Sequence, residues 1–148
     1  MKLEVISGGS FMPLINTNLT LIRSMTDLIY KEEFYKIIGI CMEVHRNLGR
    51  GFLEIVYKDA IEYEFRLSNI PYEREKEYKI DYKGFILPHK FFADFVVYGD
   101  IILEVKAVNG ITDEFTKLML NYLATSNCKL GMIVNFGEDS LKYKRLVL

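Results

Sequence analysis

Between residues 34 and 48 the apolar positions Phe34, Ile37, Ile38, Cys41, Val44 and Leu48 recur at intervals of three and four. That period marks one face of an amphipathic helix, and Gly49 and Gly51 end it, Gly49 as the residue just past the C-terminus. A second helix is predicted from about Phe52 to Leu67, with Phe52, Val56, Ala60, Tyr63 and Leu67 on its core side and Asn69 and Pro71 closing it. The period then falls to two. Glu73–Tyr82 alternates charged residues with Tyr and Ile, Lys83-Gly84 is a turn signal, and Phe85–Val97 and Ile101–Val108 read as strands joined around Tyr98-Gly99-Asp100. A third helix is expected over Thr112–Thr125, with Phe115, Leu118, Met119 and Tyr122 at helical spacing. Leu130–Phe136 and Tyr143–Leu148 read as the last strands. The predicted order α-α-β-β-β-α-β-β makes one α/β domain over residues 25–148. Residues 1–24 lack either period and are expected to form a poorly structured N-terminal extension.

Charged residues interrupt two of the apolar strands. Glu104 and Lys106 sit two apart in Ile101-Ile102-Leu103-Glu104-Val105-Lys106, and Asp94 sits in Phe91-Phe92-Ala93-Asp94-Phe95-Val96-Val97. Positions i and i+2 of a strand share a face, so Glu104 and Lys106 point the same way. If Tyr98-Gly99-Asp100 is a three-residue loop, Val97 pairs with Ile101 and Asp94 lies opposite Glu104. The same register puts Ala93, Phe95, Val97, Ile101, Leu103 and Val105 together on the other face. A slip of one residue would move Asp94 to that apolar side. Opposed residues have Cβ atoms ~4.5–5.5 Å apart, and two carboxylates that close repel unless a cation or a proton lies between them. Hard oxygen donors of this kind suit Mg²⁺ or Mn²⁺. A neighbouring lysine can hold a water or neutralise charge on a phosphoryl group. Glu-x-Lys alone is also what the solvated face of an amphipathic strand contains; Asp94 in register is what favours a site.

Composition narrows the classes. The chain has 148 residues, half of them hydrophobic and 26% charged, enough for one domain with a substantial core. With 19 Lys and Arg against 20 Asp and Glu the net charge is −1, so a nucleic-acid surface would have to be local. Cys41 and Cys128 have no metal-binding spacing and are read as reduced thiols of a cytoplasmic protein. No apolar run approaches the ~20 residues of a membrane span, and residues 1–23 lack the continuous apolar region and cleavage site of a signal peptide. A membrane partner is therefore not expected.

The segment His45-Arg46-Asn47-Leu48-Gly49-Arg50-Gly51-Phe52-Leu53-Glu54-Ile55-Val56-Tyr57 resembles the opening signature of the GxxExxY proteins, small bacterial and archaeal members of the PD-(D/E)XK nuclease superfamily. The resemblance continues through Ala93-Asp94, Glu104-Val105-Lys106, Asn121-Tyr122-Leu123, Val134-Asn135-Phe136-Gly137 and Lys144-Arg145. It implies a restriction-endonuclease-like fold, a mixed β-sheet flanked by helices. It implies that Asp94, Glu104 and Lys106 are the D…ExK triad, and that Glu54 is the acidic residue on a preceding helix that completes the metal site. By spacing alone Glu54 is indistinguishable from a surface partner of Lys58. One position departs from the pattern: Leu118 stands where relatives usually carry Gln, three residues before Asn121.

The expectation is a Mg²⁺- or Mn²⁺-dependent nuclease acting on DNA, or RNA. Asp94, Glu104 and Glu54 would hold the metal and Lys106 would position the attacking water. Arg46, Arg50 and Lys58, with Lys142, Lys144 and Arg145 near the end, are candidates for phosphate contacts. Two rival readings stand: a catalytically inactive nuclease fold that binds nucleic acid or a protein partner, and a homodimer built on exposed Tyr and Phe.

Overall fold

The computed structural model describes residues 4–7 and 29–148. Its strands are β1 (Glu4–Ser7), β2 (Tyr72–Tyr78), β3 (Asp81–Tyr82), β4 (Phe85–Ile86), β5 (Phe91–Val97), β6 (Ile101–Lys106), β7 (Leu130–Asn135) and β8 (Lys142–Val147). Its helices are α1 (Lys31–Leu48), α2 (Glu54–Leu67) and α3 (Asp113–Ser126). Six strands form a mixed sheet in the order β1-β8-β7-β6-β5-β2, in which β6 and β7 run parallel and the other neighbours antiparallel. The parallel pair is the one whose connection contains a helix, α3, as a parallel crossover requires. The architecture is the expected restriction-endonuclease-like mixed sheet flanked by helices. Most of the 1–24 segment lies outside the described residues; the part within them, Glu4–Ser7, pairs antiparallel with β8.

Two apolar layers cover the sheet. On one face Phe95, Val97, Ile101, Leu103 and Val105 pack with Ile37, Cys41 and Val44 of α1 and Tyr57, Ile61 and Phe65 of α2. On the other, Val96, Ile102, Ile133 and Leu146 pack with Met119 and Leu123 of α3. α3 sits close to β7 because Gly131 has no side chain there; a Cβ would lie 2.7 Å from the Met119 sulfur.

Three details differ from the sequence-based expectation. First, α2 is rotated. Its buried residues are Tyr57, Lys58, Ile61 and Phe65, whereas the expected core residues Phe52, Tyr63 and Leu67 are 47%, 61% and 60% exposed. Apolar residues occupy both sides of this helix, so periodicity alone does not fix its phase. Second, the two long strands around Lys83-Gly84 are each interrupted. The Tyr78↔Phe91 pair ends the main-sheet ladder, and β3 and β4 form a separate two-stranded hairpin beyond it. Pro88 lies in the gap between β4 and β5; it has no N–H to give a ladder. Third, Ala93 packs in the α3 layer rather than with Phe95 and Val97. The pleat loses step at Asp94.

Candidate active site

The β5–β6 ladder has the expected register, with Val97↔Ile101, Val96↔Ile102 and Phe95↔Leu103. Beyond it, side chains take over from backbone. The Asp94 N–H donates to Glu104 Oε1 at 3.1 Å, and the Val105 N–H donates to Asp94 Oδ2 at 2.8 Å. Asp94 and Glu104 are thus neighbours at the point where the pleat changes step, each accepting a backbone N–H from the other's strand. On the β2 side, Arg74 pairs with Phe95 and Lys76 with Ala93, so Glu75 lies opposite Asp94. Glu75 has φ +53°, left-handed backbone inside a strand.

Burial decides the electrostatics. Glu104 is 9% exposed. Burial, then the charge of Asp94, pushes its carboxyl up to about 8, while a hydrogen bond from the Asp94 backbone and the charge of Lys106 pull the other way. Burial therefore favours the protonated form of Glu104. Lys58 of α2 is turned inward. Its Nζ donates to Asp94 Oδ1 at 2.8 Å and also to Glu75. Burial disfavours its charge, but the bonds to Asp94 and Glu75 outweigh this and raise its pKa.

In Glu104 the folded pKa lies above the unfolded one, so the folded state binds more protons between the two values. Stability is then highest below about 4.5 and is lost as pH rises toward about 8. The expected slope is at most about 1.4 kcal/mol per pH unit in that window. Glu104→Gln keeps an acceptor for the Asp94 N–H and removes the proton. In metal-free protein it should raise the melting temperature at pH 8 and change it little at pH 4.5. Melting curves of the two proteins across this range check the point; parallel curves would mean that Glu104 titrates normally.

Lys106 ends β6 beside this pair. Its Nζ lies 4.7 Å from the centroid of the Phe115 ring, and it makes no hydrogen bond or ion pair among the described residues. Glu104, Lys106, Phe115, Leu118, Met119, Tyr122 and Ile133 line one narrow crevice under α3. Leu118, 42% exposed, thus lies over the ExK strand and puts an apolar side chain in the crevice. Lys117, its neighbour on the helix, faces elsewhere, 3.6 Å from Glu114 with both side chains exposed.

Not every expected residue is gathered here. Glu54 opens α2 one turn before Lys58, where a carboxylate suits the positive helix end. It does not join Asp94 and Glu104: among the described residues no three His, Cys, Asp or Glu side chains come together as a metal-holding group. Arg46 pairs with Glu43 at 2.6 Å and Arg50 with Asp139 at 3.2 Å, both at the surface. Arg50 lines a polar depression with Asn109, Ser140 and Lys142. Arg145 is buried, donates to the Ile29 carbonyl and lies over the Phe34 ring. Lys144 is better placed. Register puts Glu104, Ile133 and Lys144 in one row across the sheet, and Lys144 Nζ reaches Thr116 Oγ1 at 3.4 Å.

Tyr57, His45 and Asn135 of the signature make structural contacts. Tyr57 donates to the Gly49 carbonyl at 2.6 Å and stacks on Phe136 at 4.5 Å. His45 Nε2 meets the Glu138 carbonyl oxygen at 2.9 Å. Asn135, fully buried, accepts the N–H groups of Val108 and Gly137 on Oδ1 and donates to the Val108 carbonyl and Glu138 from Nδ2. It staples down the loop that follows Lys106. Two residues beside the pair carry no chemical signal of their own in the sequence, Glu75 in its charged strand and Tyr122 in the apolar row of α3. Burial, then the charges of Glu104 and Asp94, raises the Tyr122 pKa.

Two carboxylates side by side, one of them with its pKa raised by burial and by the charge of the other, fit a divalent ion. Mg²⁺ is commonly held by one or two carboxylates plus water and substrate oxygens. Asp94 and Glu104 would hold it.

The chain is similar to the crystal structure of SSO0001 at 22% identity and a TM-score of 0.46, over 60% of this chain. It spans 47% of that chain's length. No curated protein matches. The family model of the PD-(D/E)XK nuclease superfamily matches residues 31–146, which contain the whole candidate site. The chain belongs to the PD-(D/E)XK nuclease superfamily.

Proposed function

We propose that this protein is a divalent-metal-dependent nuclease that hydrolyses phosphodiester bonds of DNA, or of RNA. The observation that carries the reading is the Asp94–Glu104 carboxylate pair with Lys106 on the next outward position of the same strand. Mg²⁺ or Mn²⁺, when bound, supplies Lewis acidity to the phosphoryl oxygens and an acidified water. Asp94 and Glu104 provide the oxygen ligands, and the reciprocal backbone bonds fix both carboxylates before anything binds. Lys106 holds its ammonium at the crevice mouth, where it positions the attacking water or meets charge growing on the phosphoryl group. Lys144, in the same row of the sheet, is suited to an adjoining phosphate. Arg50 and Lys142 line a separate depression together with Glu138 and Asp139, so its charge is mixed.

The test is cleavage of single-stranded, duplex and branched substrates with Mg²⁺ or Mn²⁺ and with EDTA. The wild type should cut at least one substrate only with metal, and Asp94→Asn should cut none. The same proteins should differ in heat stability. A metal at about 100 times its Kd stabilises the folded state by about 2.7 kcal/mol, which for a chain of this length raises the melting temperature by about 5–10 °C. Asp94→Asn should lose that rise. Equal responses of the two proteins would remove the metal site.

A second reading has its own observations. Leu118 puts an apolar side chain in the crevice, and Lys58 occupies one Asp94 oxygen. Both suit a nuclease fold retained to bind nucleic acid or a protein without cutting. Wild type that binds a substrate and never cleaves it would favour this reading.

A further inference from the structure

Both oxygens of Asp94 are already engaged, Oδ2 by the Val105 N–H and Oδ1 by Lys58 Nζ, each at 2.8 Å. The Lys58 side chain is 11% exposed, so its ammonium is an internal cation rather than a surface charge. A divalent ion shared by Asp94 and Glu104 would find this second cation on one of its ligand oxygens, and like charges in a buried site repel. Lys58 has another place to go. The same Nζ already touches Glu75, whose side chain is 47% exposed.

The backbone at Glu75 is itself irregular. Its φ of +53° is costly for a residue with a side chain. The other left-handed non-glycine residues among those described, Tyr30, Asn69, Lys83, Tyr98 and Asn127, lie at turns or helix ends. Glu75 alone among them lies inside a strand. Its position is opposite Asp94, where the pleat of β5 also loses step. The two irregularities together put two carboxylates on one lysine.

We infer that Lys58 is an exchangeable occupant of the ligand face of Asp94, and that Glu75 is the seat to which its ammonium moves when a divalent ion binds. The inference rests on the reading that Asp94 and Glu104 hold that ion. Lys58 and Glu75 are then positioning residues. In the metal-free protein Lys58 balances Asp94. In the loaded protein it is held by Glu75 alone and leaves Oδ1 to the metal. Removing the lysine removes a competitor, and removing Glu75 strands the lysine on Asp94.

These roles have opposite signs, which a purely structural part would not produce. The measurement is Mn²⁺ affinity by electron paramagnetic resonance or calorimetry on the full chain, with folding checked by circular dichroism. Lys58→Met should bind Mn²⁺ about tenfold more tightly, corresponding to about 1.4 kcal/mol. Glu75→Gln should bind it about fivefold more weakly. In Lys58→Met/Glu75→Gln the Glu75 effect should vanish, because Glu75 acts through Lys58. Wild type that binds Mn²⁺, with Lys58→Met no tighter, overturns the inference and leaves the metal site standing. So does Glu75→Gln weakening binding equally in both backgrounds, since Glu75 would then act on the metal directly. Binding by none of the four proteins overturns the metal site and the inference together. If Lys58→Met does not fold, Lys58→Gln takes its place, and Glu75→Gln binding as tightly as wild type is then the overturning result.

Discussion

Lys106→Ala is expected to lower metal-dependent cleavage by about 100-fold or more while leaving the metal-induced rise in melting temperature in place. Removal of one preorganised group that meets charge in the transition state commonly costs that much. The structure gives this side chain little else to do. Its Nζ lies over the Phe115 ring at 4.7 Å, and it makes no ion pair or hydrogen bond among the described residues. A cation–π contact between half-buried partners is worth about 0.5–2 kcal/mol, so stability should change only modestly. Lys106→Arg should not restore the rate, because a planar guanidinium does not present a compact ammonium at the same point. Single-turnover rates on the best cleaved substrate, with melting curves in EDTA and in Mn²⁺, separate the two effects. An unchanged rate would remove Lys106 from the chemistry. A collapse in melting temperature would make it structural.

The part of the site that lies on β5 and β6 was legible in the sequence because one register alone keeps Phe95, Val97, Ile101, Leu103 and Val105 on a single apolar face. That parity brings Asp94 to Glu104 without knowledge of anything else in the fold. One residue further on, Ala93 faces the α3 layer instead, because a strand can change step and composition does not record it. The phase of α2 is a separate matter. Tyr57, Ile61 and Phe65 form its buried stripe, but Tyr63 and Leu67, in line with Phe52 just before the helix, form a second apolar stripe that stays exposed. Which stripe wins is a tertiary decision. The choice matters for function, since the observed phase turns Lys58 inward onto Asp94. Glu75 was invisible for a related reason. It sits in Tyr72-Glu73-Arg74-Glu75-Lys76-Glu77-Tyr78, where alternating charge reads as a solvated edge strand. Its left-handed backbone leaves no mark in the sequence. Glu54 stood out only through resemblance, and the fold gives it the first turn of α2 rather than a place beside the two carboxylates.

Gly137→Ala should be among the most destabilising single changes in the chain, lowering stability by about 3 kcal/mol or more and the melting temperature by about 10 °C. A Cβ at Gly137 would lie 2.2 Å from the Val108 carbonyl oxygen and 2.4 Å from its nitrogen. Both are backbone atoms and cannot rotate aside. Val108 is held from the other side as well, its N–H by Asn135 Oδ1 at 3.0 Å and its carbonyl by Asn135 Nδ2 at 2.9 Å. The Gly137 N–H shares the same Asn135 oxygen at 3.1 Å. Relief of the clash must therefore pull the loop after β6 from the end of β7, leaving a buried asparagine with lost partners, which is itself costly. The loop begins at the catalytic candidate: the Lys106 carbonyl accepts the Phe136 N–H at 2.8 Å. The folded fraction of Gly137→Ala should accordingly also cleave more slowly, since Lys106 loses its fixed base. Gly110→Ala is the control in the same loop. Its Cβ would meet nothing within 4 Å, and its backbone is not left-handed, so its cost should be about 0.5 kcal/mol or less. Thermal or urea unfolding of the two variants reads the difference directly. Equal stabilities would mean that the loop is not clamped by Asn135 and that the ordering of Lys106 comes from β6 alone.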